Sequence, residues 1–505
     1  MGWAEKTVGQ VLDDAADRFP ERDALVYVDR GLRYSYREFR ERVDLLARGL
    51  LALGVEKGEH VALWAMNLPE WVLLQFATAK VGAVLVTVNT NYQRHELRYV
   101  LEQSDVTTLF LAEGYRDVDC LAALYDVAPE VRDPAWPERP CSGLPRLRRA
   151  VFLGEEKHPG TRPFAELYER GREVEPGVLE EREAQLSARE PINMQYTSGT
   201  TGFPKGVLLS HFNIVNNALA QGQVMGFTEQ DRLCIPVPFF HCFGCVMSTL
   251  LCVCYGAAMV PVEAFDPALV LRSVEEERCT ALHGVPTMFI ALLNHPDFPG
   301  RDLTSLRTGI MAGAPCPVEL MRRVLGQMHM TEICITYGQT EASPGITMTR
   351  RDDSVERRVA TVGRALPGVE VKIVDPETSL PVPAGTQGEL CSRGYNTMLG
   401  YYRMPEASGE AVDGEGWLHT GDLATMDDQG YCKITGRLKN MIIRGGENLF
   451  PREIEEFLYT HPDVLHVEVL GVPDLRYGEQ VLAAIIPREG KNLNEEQVKV
   501  FCRGR

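Results

Sequence analysis

The sequence lacks an excess of basic residues. Among its 505 residues, 52 Lys and Arg stand against 70 Asp and Glu, and the formal net charge is −18 at pH 7. A protein of this charge repels polyanions, which argues against general binding to nucleic acid or to anionic membranes. An anionic ligand would therefore need a local cluster of basic side chains, for which the candidates are Lys205, Arg364, Arg437, Lys439 and Arg444.

The first residues lack the apolar core of a secretory signal. They read Met-Gly-Trp-Ala-Glu-Lys-Thr, and Lys6 occupies the position where a myristoylation motif needs Ser or Thr. We therefore expect a cytoplasmic protein whose 13 cysteines are reduced thiols. The motifs Cys242-x-x-Cys245 and Cys252-x-Cys254 lie in an apolar run with one histidine, which favours buried thiols over a zinc site.

Long uncharged runs are also scarce, and one stretch needs separate treatment. The twenty residues from Phe243 to Val262 contain no acid or base, which is long enough for a membrane span. Gly244, Gly256 and Pro261 interrupt the run, so we expect a strand, a helix and a strand in the protein interior instead. Peripheral contact with a membrane stays open.

Segments with helical and strand periodicity alternate along most of the chain. This alternation is typical of an α/β fold in which parallel sheets are covered by helices. Residues 128–149 are rich in Pro and Arg and predict a surface excursion, while short strands and turns from residue 368 predict a small β-rich unit. The predicted helices include 8–18, 35–53, 69–80 and 267–276, and the predicted strands include 60–65, 83–88, 107–111, 279–283 and 306–312.

The stretch from Tyr196 to Gly206 reads Tyr-Thr-Ser-Gly-Thr-Thr-Gly-Phe-Pro-Lys-Gly and follows a strand-like run. Its glycines allow successive backbone N–H groups to turn toward an anion, and its hydroxyls and lysine add donors and positive charge. A polyphosphate is the ligand that this composition favours, although the spacing is not that of a Walker motif. A solvated linker is the alternative. The proposed contacts are Thr197, Ser198, Gly199, Thr200, Thr201, Gly202 and Lys205.

Five further motifs follow downstream in the sequence. Taken singly, each has an ordinary explanation as a turn or a capped helix start. In order they read Gly313-Ala-Pro315, Tyr337-Gly-Gln-Thr-Glu341, Trp417-Leu-His-Thr-Gly-Asp422 and Gly436-Arg-Leu-Lys439, with Ile443-Arg-Gly-Gly-Glu-Asn448 close behind. Their joint occurrence in this order is far more specific than any one of them.

Together these motifs resemble the signatures of the adenylate-forming superfamily, which includes the acyl-CoA synthetases. The resemblance implies a large AMP-binding domain over residues 1–436, with the β-rich unit at about 365–435, and a small mobile α+β domain over 437–505. It also implies that ATP, Mg²⁺ and coenzyme A are used.

The resemblance gives each motif a role. Gly313, Ala314, Pro315, Tyr337 and Gly338 would line the adenine site, and Glu341 would hold Mg²⁺. Asp422 and Arg437 would contact the ribose, Lys439 would be the hinge, and Gly446 would line the pantetheine tunnel. Thr201, Glu341 and His241, the last beside the substrate carboxylate, would be the catalytic residues.

The segment Pro236 to Gly244 lacks the acidic residue that amino-acid-activating relatives use to pair the substrate ammonium. A buried ammonium without a counter-charge would be costly, so an amino-acid substrate is disfavoured. Acetate-specific members of the superfamily have a large aromatic residue at the position that Gly338 resembles. By that resemblance the glycine leaves room for more carbons, which favours medium-chain or longer fatty acids. Aryl acids such as cinnamates are the alternative.

The chain also lacks a Thr-x-x-Gly-Lys turn before Arg505, and neither Lys491 nor Lys499 stands in one. In the family, a lysine in such a turn bridges the carboxylate and the α-phosphate during adenylation. The small domain is therefore expected to be incomplete, and the 505-residue chain is expected to be impaired in adenylation. Either the chain is a shortened ligase, or it is a natural binder of nucleotide or acyl-adenylate. Its oligomeric state is not predicted.

Overall fold

The computed structural model describes residues 3–197, 204–444, 447–449, 451–474 and 478–502. Contacts divide the chain into a large unit, residues 1–370 and 393–418, and a small unit, residues 371–392 and 419–505. Most of the predicted β-rich segment is thus grouped with the C-terminal residues. The boundary at residue 437 stays a prediction.

The expected alternation of helices and strands is observed, and the fold is mixed α/β. The helices are α1 (Val8–Arg18), α2 (Tyr36–Ala52), α3 (Pro69–Val81), α4 (Arg94–Gln103), α5 (Cys120–Val127), α6 (Ala165–Glu173), α7 (Pro176–Glu183), α8 (His211–Met225), α9 (Cys242–Gly244), α10 (Leu251–Tyr255), α11 (Pro267–Glu276), α12 (Pro286–Leu293), α13 (Val318–Gln327), α14 (Val355–Ala360), α15 (Pro405–Ala411), α16 (Pro451–Leu458) and α17 (Glu495–Cys502).

The strands are β1 (Asp23–Tyr27), β2 (Leu32–Ser35), β3 (His60–Trp64), β4 (Val84–Thr87), β5 (Thr108–Leu111), β6 (Gly114–Tyr115), β7 (Val118–Asp119), β8 (Arg149–Phe152), β9 (Arg162–Pro163), β10 (Pro191–Thr197), β11 (Lys205–Ser210), β12 (Arg232–Ile235), β13 (Ala258–Pro261), β14 (Ala281–Leu282), β15 (Ile310–Met311), β16 (Cys334–Gly338), β17 (Gly345–Met348), β18 (Arg364–Ala365), β19 (Val369–Val374), β20 (Gly388–Gly394), β21 (Gly400–Tyr401), β22 (Leu418–Met426), β23 (Cys432–Arg437), β24 (Ile442–Arg444), β25 (Glu447–Leu449), β26 (Val464–Asp474) and β27 (Gly478–Pro487).

The described part of the large unit contains three sheets of four or more strands and the two-stranded sheet of β6 and β7. The eight-stranded sheet has the order β21-β11-β10-β4-β3-β5-β8-β9, and its pairs from β10 to β9 are parallel. The second sheet has the order β14-β12-β13-β1-β2, and the third has the order β15-β16-β17-β18. Parallel strands buried on both faces are continuous apolar runs, as His60–Trp64 and Val84–Thr87 are here.

Local sequence signals explain several helix starts in the large unit. The side chains of Thr7, Ser35 and Ser210 each accept a hydrogen bond from the backbone N–H three residues later. The side chain of that later residue in turn accepts the backbone N–H of the capping residue. These reciprocal pairs of hydrogen bonds, called capping boxes, satisfy backbone N–H groups that have no partner within the first turn of a helix. Ser210 thus caps the start of α8.

The uncharged run from Phe243 to Val262 lies in the interior of the large unit. Its residues form α9, a π-helical turn at Cys245–Leu250, α10 and β13. In the part of the chain that the structure describes, no helix is long and apolar enough to cross a membrane. The interpretation of this run as interior structure is confirmed.

His211 at the start of α8 makes folding of the large unit sensitive to acid. Its Nδ1 accepts the backbone N–H of Val8 at 3.0 Å, and burial lowers the pKa of its imidazole to about 3, although Glu190 opposes the shift. The unfolded chain takes up this proton below about pH 6.5 and the folded chain does not, so stability is lost as the pH falls through that window.

We expect His211 alone to cost about 2 kcal/mol of unfolding free energy between pH 7 and pH 5. Urea titrations at the two pH values should show a smaller drop for His211→Gln than for the unaltered chain. Exposed His95 is the control, and His95→Gln should leave the drop unchanged. Equal drops for His211→Gln and the unaltered chain would contradict the assignment.

The small unit contains two sheets. One has the order β19-β20-β22-β23, with the ends of three of its strands at the unit boundary, and the other has the order β25-β24-β27-β26. A compact cluster that includes Ile442, Leu458, Val467 and Val469 packs with side chains from α16 and α17. The hairpin of β26 and β27 is the longest ladder of this unit in the described residues.

Candidate active site

Thr197 and Lys205 face each other at one end of the large sheet. They are register partners in the antiparallel pair of β10 and β11, and they flank the predicted phosphate loop. The loop residues Ser198, Gly199, Thr200, Thr201 and Gly202 lie outside the described residues. The structure thus fixes both ends of the predicted loop.

Glu341 lies in a short 3₁₀ turn after β16, and it is buried. Its Oε1 accepts a hydrogen bond from the hydroxyl of Tyr401 at 2.8 Å and a long one from Thr197 at 3.5 Å. The phosphate-loop strand and the Glu341 turn, which are 144 residues apart in sequence, therefore meet. A carboxylate beside hydroxyl oxygens is a donor set that suits Mg²⁺.

Tyr401 is a component of this cluster that the sequence motifs do not indicate. It lies on β21, and its ring stands 4.6 Å from the Nζ atom of Lys205. The side chain therefore touches both the lysine and the carboxylate that the motifs select. A Gly-Tyr dipeptide gives no signal of this kind, because the contact depends on a strand pairing that is distant in sequence.

The two predicted adenine turns lie at the ends of neighbouring strands. Gly313, Ala314 and Pro315 form an exposed turn after β15. Tyr337 is the last residue but one of β16, the parallel neighbour of β15. Ligands of open α/β sheets bind at such carboxyl ends.

Gly338 has a structural reason to be glycine. A Cβ atom at this position would lie 1.8 Å from the carbonyl oxygen of Pro344. Any side chain would therefore force β16 and β17 apart. The backbone contact is a separate reason for this glycine. The expectation that Gly338 makes room for acyl carbons stays a prediction.

His241 follows a segment that two buried side chains hold in place. Asn67 Oδ1 accepts the N–H of Phe239 at 2.8 Å, and the hydroxyl of Thr87 donates to the carbonyl of Phe240 at 2.8 Å. The imidazole is solvent-accessible, but the surrounding protein desolvates it and lowers its pKa. His241 therefore favours the neutral form.

The chain after His241 lies close to the phosphate-loop strand. Gln195 on β10 donates from its amide to the Sγ atom of Cys245 at 3.0 Å. Burial, the neighbouring Cys245 and the charge of Glu341 all raise the pKa of the Cys242 thiol. These contacts bring the predicted acid-binding segment near the Thr197, Lys205 and Glu341 cluster within the large unit. The cysteines here are free thiols, as expected.

In the small unit, Asp422 and Arg437 form an ion pair. They are register partners on β22 and β23, and Arg437 Nε donates to Asp422 Oδ1 at 3.0 Å. Asp422 is buried, whereas the Arg437 side chain is 71% exposed. Lys439 lies exposed in the following 3₁₀ turn, and Gly446 is outside the described residues.

Glu389 and His419 support the part of β22 that carries Asp422. Glu389 Oε2 accepts a hydrogen bond from His419 Nδ1 at 2.8 Å, and Oε1 accepts the N–H of Gly421 at 2.9 Å. Gly421 has a φ of +70°, which glycine adopts without strain. Glu389, Cys391 and His419 are also the one three-donor cluster found among the described residues, but both carboxylate oxygens already accept protein donors.

Both small-unit lysines that we considered for adenylation have acidic partners. Lys491 pairs with Asp463 at 3.0 Å, and Lys499 pairs with Glu495 at 2.6 Å. Neither pair adjoins Asp422 or Arg437 in sequence. The structure gives no reason to assign either lysine to catalysis.

The fold is mixed α/β, and the motif residues Thr197, Lys205 and Glu341 lie together in the large unit. The sequence model of the AMP-binding enzyme family matches residues 12–402, and that of the AMP-binding enzyme C-terminal domain matches residues 453–505. The chain belongs to the AMP-binding enzyme family.

Within this family, the chain is similar to several named acyl-CoA synthetases and ligases. The chain is 54% identical over 499 residues to the putative acyl-CoA synthetase YngI of Bacillus subtilis, covering 99% of this chain and 91% of the relative. It is 41% identical over 502 residues to the mitochondrial medium-chain acyl-CoA ligase ACSF2 of Danio rerio, covering 99% and 82%. A fatty acyl-CoA synthetase structure from Mycobacterium tuberculosis superposes with a TM-score of 0.78 at 28% identity, covering 98% and 91%.

These matches confirm the expected superfamily, the fold class and an ATP-dependent acyl-CoA ligase. Its substrates are small molecules, with ATP and CoA among them. The expected impairment of adenylation receives no support, since the C-terminal domain model matches through residue 505. The predicted cytoplasmic location stays a prediction.

Proposed function

We propose that this chain activates medium-chain or longer fatty acids as acyl-adenylates and transfers them to CoA. The observation that carries the proposal is the cluster of Thr197, Lys205 and Glu341 beside the segment of His241. That cluster combines a cation, hydroxyl donors and a carboxylate at the end of a parallel sheet, as MgATP binding requires.

In the first half-reaction, a carboxylate oxygen of the acid attacks the α-phosphorus of ATP. The bond from the α-phosphorus to the bridging oxygen breaks, and pyrophosphate leaves with the electron pair. Lys205 would neutralise phosphate charge, and Glu341 would hold Mg²⁺, which shields the phosphates when bound. Such catalysis depends on positioning and charge, so no side chain needs to form a covalent bond.

His241 would orient the acid. Its lowered pKa favours a neutral imidazole, which can donate one hydrogen bond to a carboxylate without holding it as an ion pair. We assign the ribose hydroxyls to Asp422, whose carboxylate can accept two hydroxyl donors, and to Arg437 beside it. In the second half-reaction, the thiolate sulfur of CoA attacks the acyl carbon and AMP leaves.

The preferred chain length of the acid depends on how many of its methylene groups the pocket can bury. Each buried methylene contributes about 0.8 kcal/mol, or about a fourfold gain in kcat/KM. We therefore expect kcat/KM to rise steeply from acetate to octanoate and then to level off where the pocket is full. The similarity to a named medium-chain acyl-CoA ligase supports this range.

A panel of acids from acetate to palmitate, with cinnamate, tests the substrate class through AMP release with and without CoA. Octanoate should exceed acetate by at least about 100-fold. A preference for cinnamate over every alkyl acid would favour the aryl-acid alternative. No acid-dependent AMP or acyl-CoA under any condition would refute the proposal.

Acid-dependent exchange of pyrophosphate into ATP isolates the adenylation step. We expect exchange that requires both the fatty acid and Mg²⁺, as the first half-reaction does. Exchange absent while nucleotide still binds would favour a binding protein.

A further inference from the structure

Tyr401 lies between the two charged groups of the proposed MgATP site. Its hydroxyl donates to Glu341 Oε1 at 2.8 Å, and its ring stands 4.6 Å from Lys205 Nζ. A hydrogen bond to a carboxylate fixes the direction of that oxygen, and a ring beneath an ammonium group limits where the ammonium can move. One side chain thus restrains both charges.

The position of Tyr401 is fixed by its backbone rather than by its side chain. Val207 on β11 is its register partner, and the hydroxyl of Ser408 accepts its N–H at 2.8 Å. The next residue, Tyr402, donates its N–H to Gly206 at 2.8 Å and accepts the amide of Gln103 at 2.8 Å. The strand is therefore held on both edges, and the phenol is presented in a set orientation.

The Tyr401 hydroxyl is a neutral donor to Glu341 Oε1. It can therefore fix the direction of the carboxylate without the positive charge with which a lysine in the same place would compete against a metal ion.

We propose that Tyr401 is a positioning residue for adenylation, which holds Glu341 for Mg²⁺ and Lys205 for the phosphates of ATP. The inference rests on the proposed function of the Glu341 and Lys205 cluster and deepens it. Tyr401 acts through these two side chains, and its removal should weaken MgATP use while it leaves the use of the fatty acid unchanged.

The decisive variant is Tyr401→Phe, which keeps the ring near Lys205 and removes the hydrogen bond to Glu341. We expect kcat/KM for MgATP to fall about 10- to 100-fold, the range for loss of a hydrogen bond to a charged group. The Mg²⁺ concentration for half-maximal rate should rise, and KM for the fatty acid should stay within about twofold. Tyr401→Leu also removes the ring, and this variant should lower kcat/KM for MgATP by about a further twofold to fivefold.

Tyr402→Phe is a matched control at the next residue along the chain. The hydroxyl of Tyr402 donates to Asp105 at 2.8 Å, so this variant also loses a bond from a phenol to a carboxylate. It should change stability slightly and leave the Mg²⁺ dependence as it was. If Tyr401→Phe and Tyr402→Phe behave alike, the role of Tyr401 is structural and the proposal is wrong.

The outcome for Glu341→Gln separates this inference from the proposed function. If Glu341→Gln loses activity and Tyr401→Phe keeps the normal Mg²⁺ dependence, the Tyr401 proposal fails and the site assignment stands. If neither Glu341→Gln nor Lys205→Met changes MgATP use, the site assignment itself fails. The expected pattern is a shared Mg²⁺ defect in Glu341→Gln and Tyr401→Phe, larger in the former.

Discussion

Replacing Glu341 with glutamine is expected to lower acid-dependent AMP formation by about 10²- to 10³-fold at saturating acid. The amide can still accept the hydroxyl of Tyr401, so the local structure should persist. It cannot supply the negative charge that holds Mg²⁺ against the phosphates, and that charge is what the reaction uses. The rate should be measured as a function of Mg²⁺ at fixed ATP.

Glu332→Gln is the matched control for this experiment. Glu332 lies just before β16, near the end opposite Glu341, and pairs with Arg307 at 2.7 Å on a partly exposed surface. Loss of such a pair costs little, so activity and Mg²⁺ dependence should be close to those of the unaltered chain. Full activity of Glu341→Gln at ordinary Mg²⁺ would remove the carboxylate from the mechanism.

Replacing Lys80 with methionine is expected to lower the free energy of unfolding by about 3–5 kcal/mol. The Lys80 side chain is 2% exposed, and its Nζ lies 2.7 Å from Asp13, 2.9 Å from Asp44 and 3.0 Å from Glu183. Burial alone would lower the pKa of Lys80, but the three carboxylates together raise it. Without the ammonium, three partly buried carboxylates repel each other.

Urea titration at pH 7 measures the loss. Burial raises the pKa of Asp13 and Glu183, so these groups take up protons readily as the pH falls, and the deficit of Lys80→Met should shrink at about pH 5. Lys6→Met is the control, because Lys6 pairs with Asp14 at an exposed position and should cost within about 0.5 kcal/mol. Equal losses of unfolding free energy in the two variants would show that the buried cluster stabilises the protein no more than an exposed ion pair does.

Local patterns in the sequence predicted most of the architecture. Helices α1, α3 and α11 begin and end within one residue of the predicted bounds, because periodicity and capping signals act over a few residues. Two apolar runs were predicted as strands over 279–283 and 306–312, but only Ala281–Leu282 and Ile310–Met311 are strands. An apolar run shows that a segment is buried, whereas the length of a strand depends on where its partner ends.

The sequence by itself determined the α/β class, the family and the motif residues that gather at Thr197, Lys205 and Glu341. The tertiary structure alone decided that Tyr401 joins them and that Lys80 meets acids from three separate helices. It also decided that Gly338 must be glycine because a carbonyl approaches it. Motifs and helix caps depend on residues that are close together in the sequence. These contacts arise instead when strands and helices distant along the chain pack together, and no local pattern encodes that pairing.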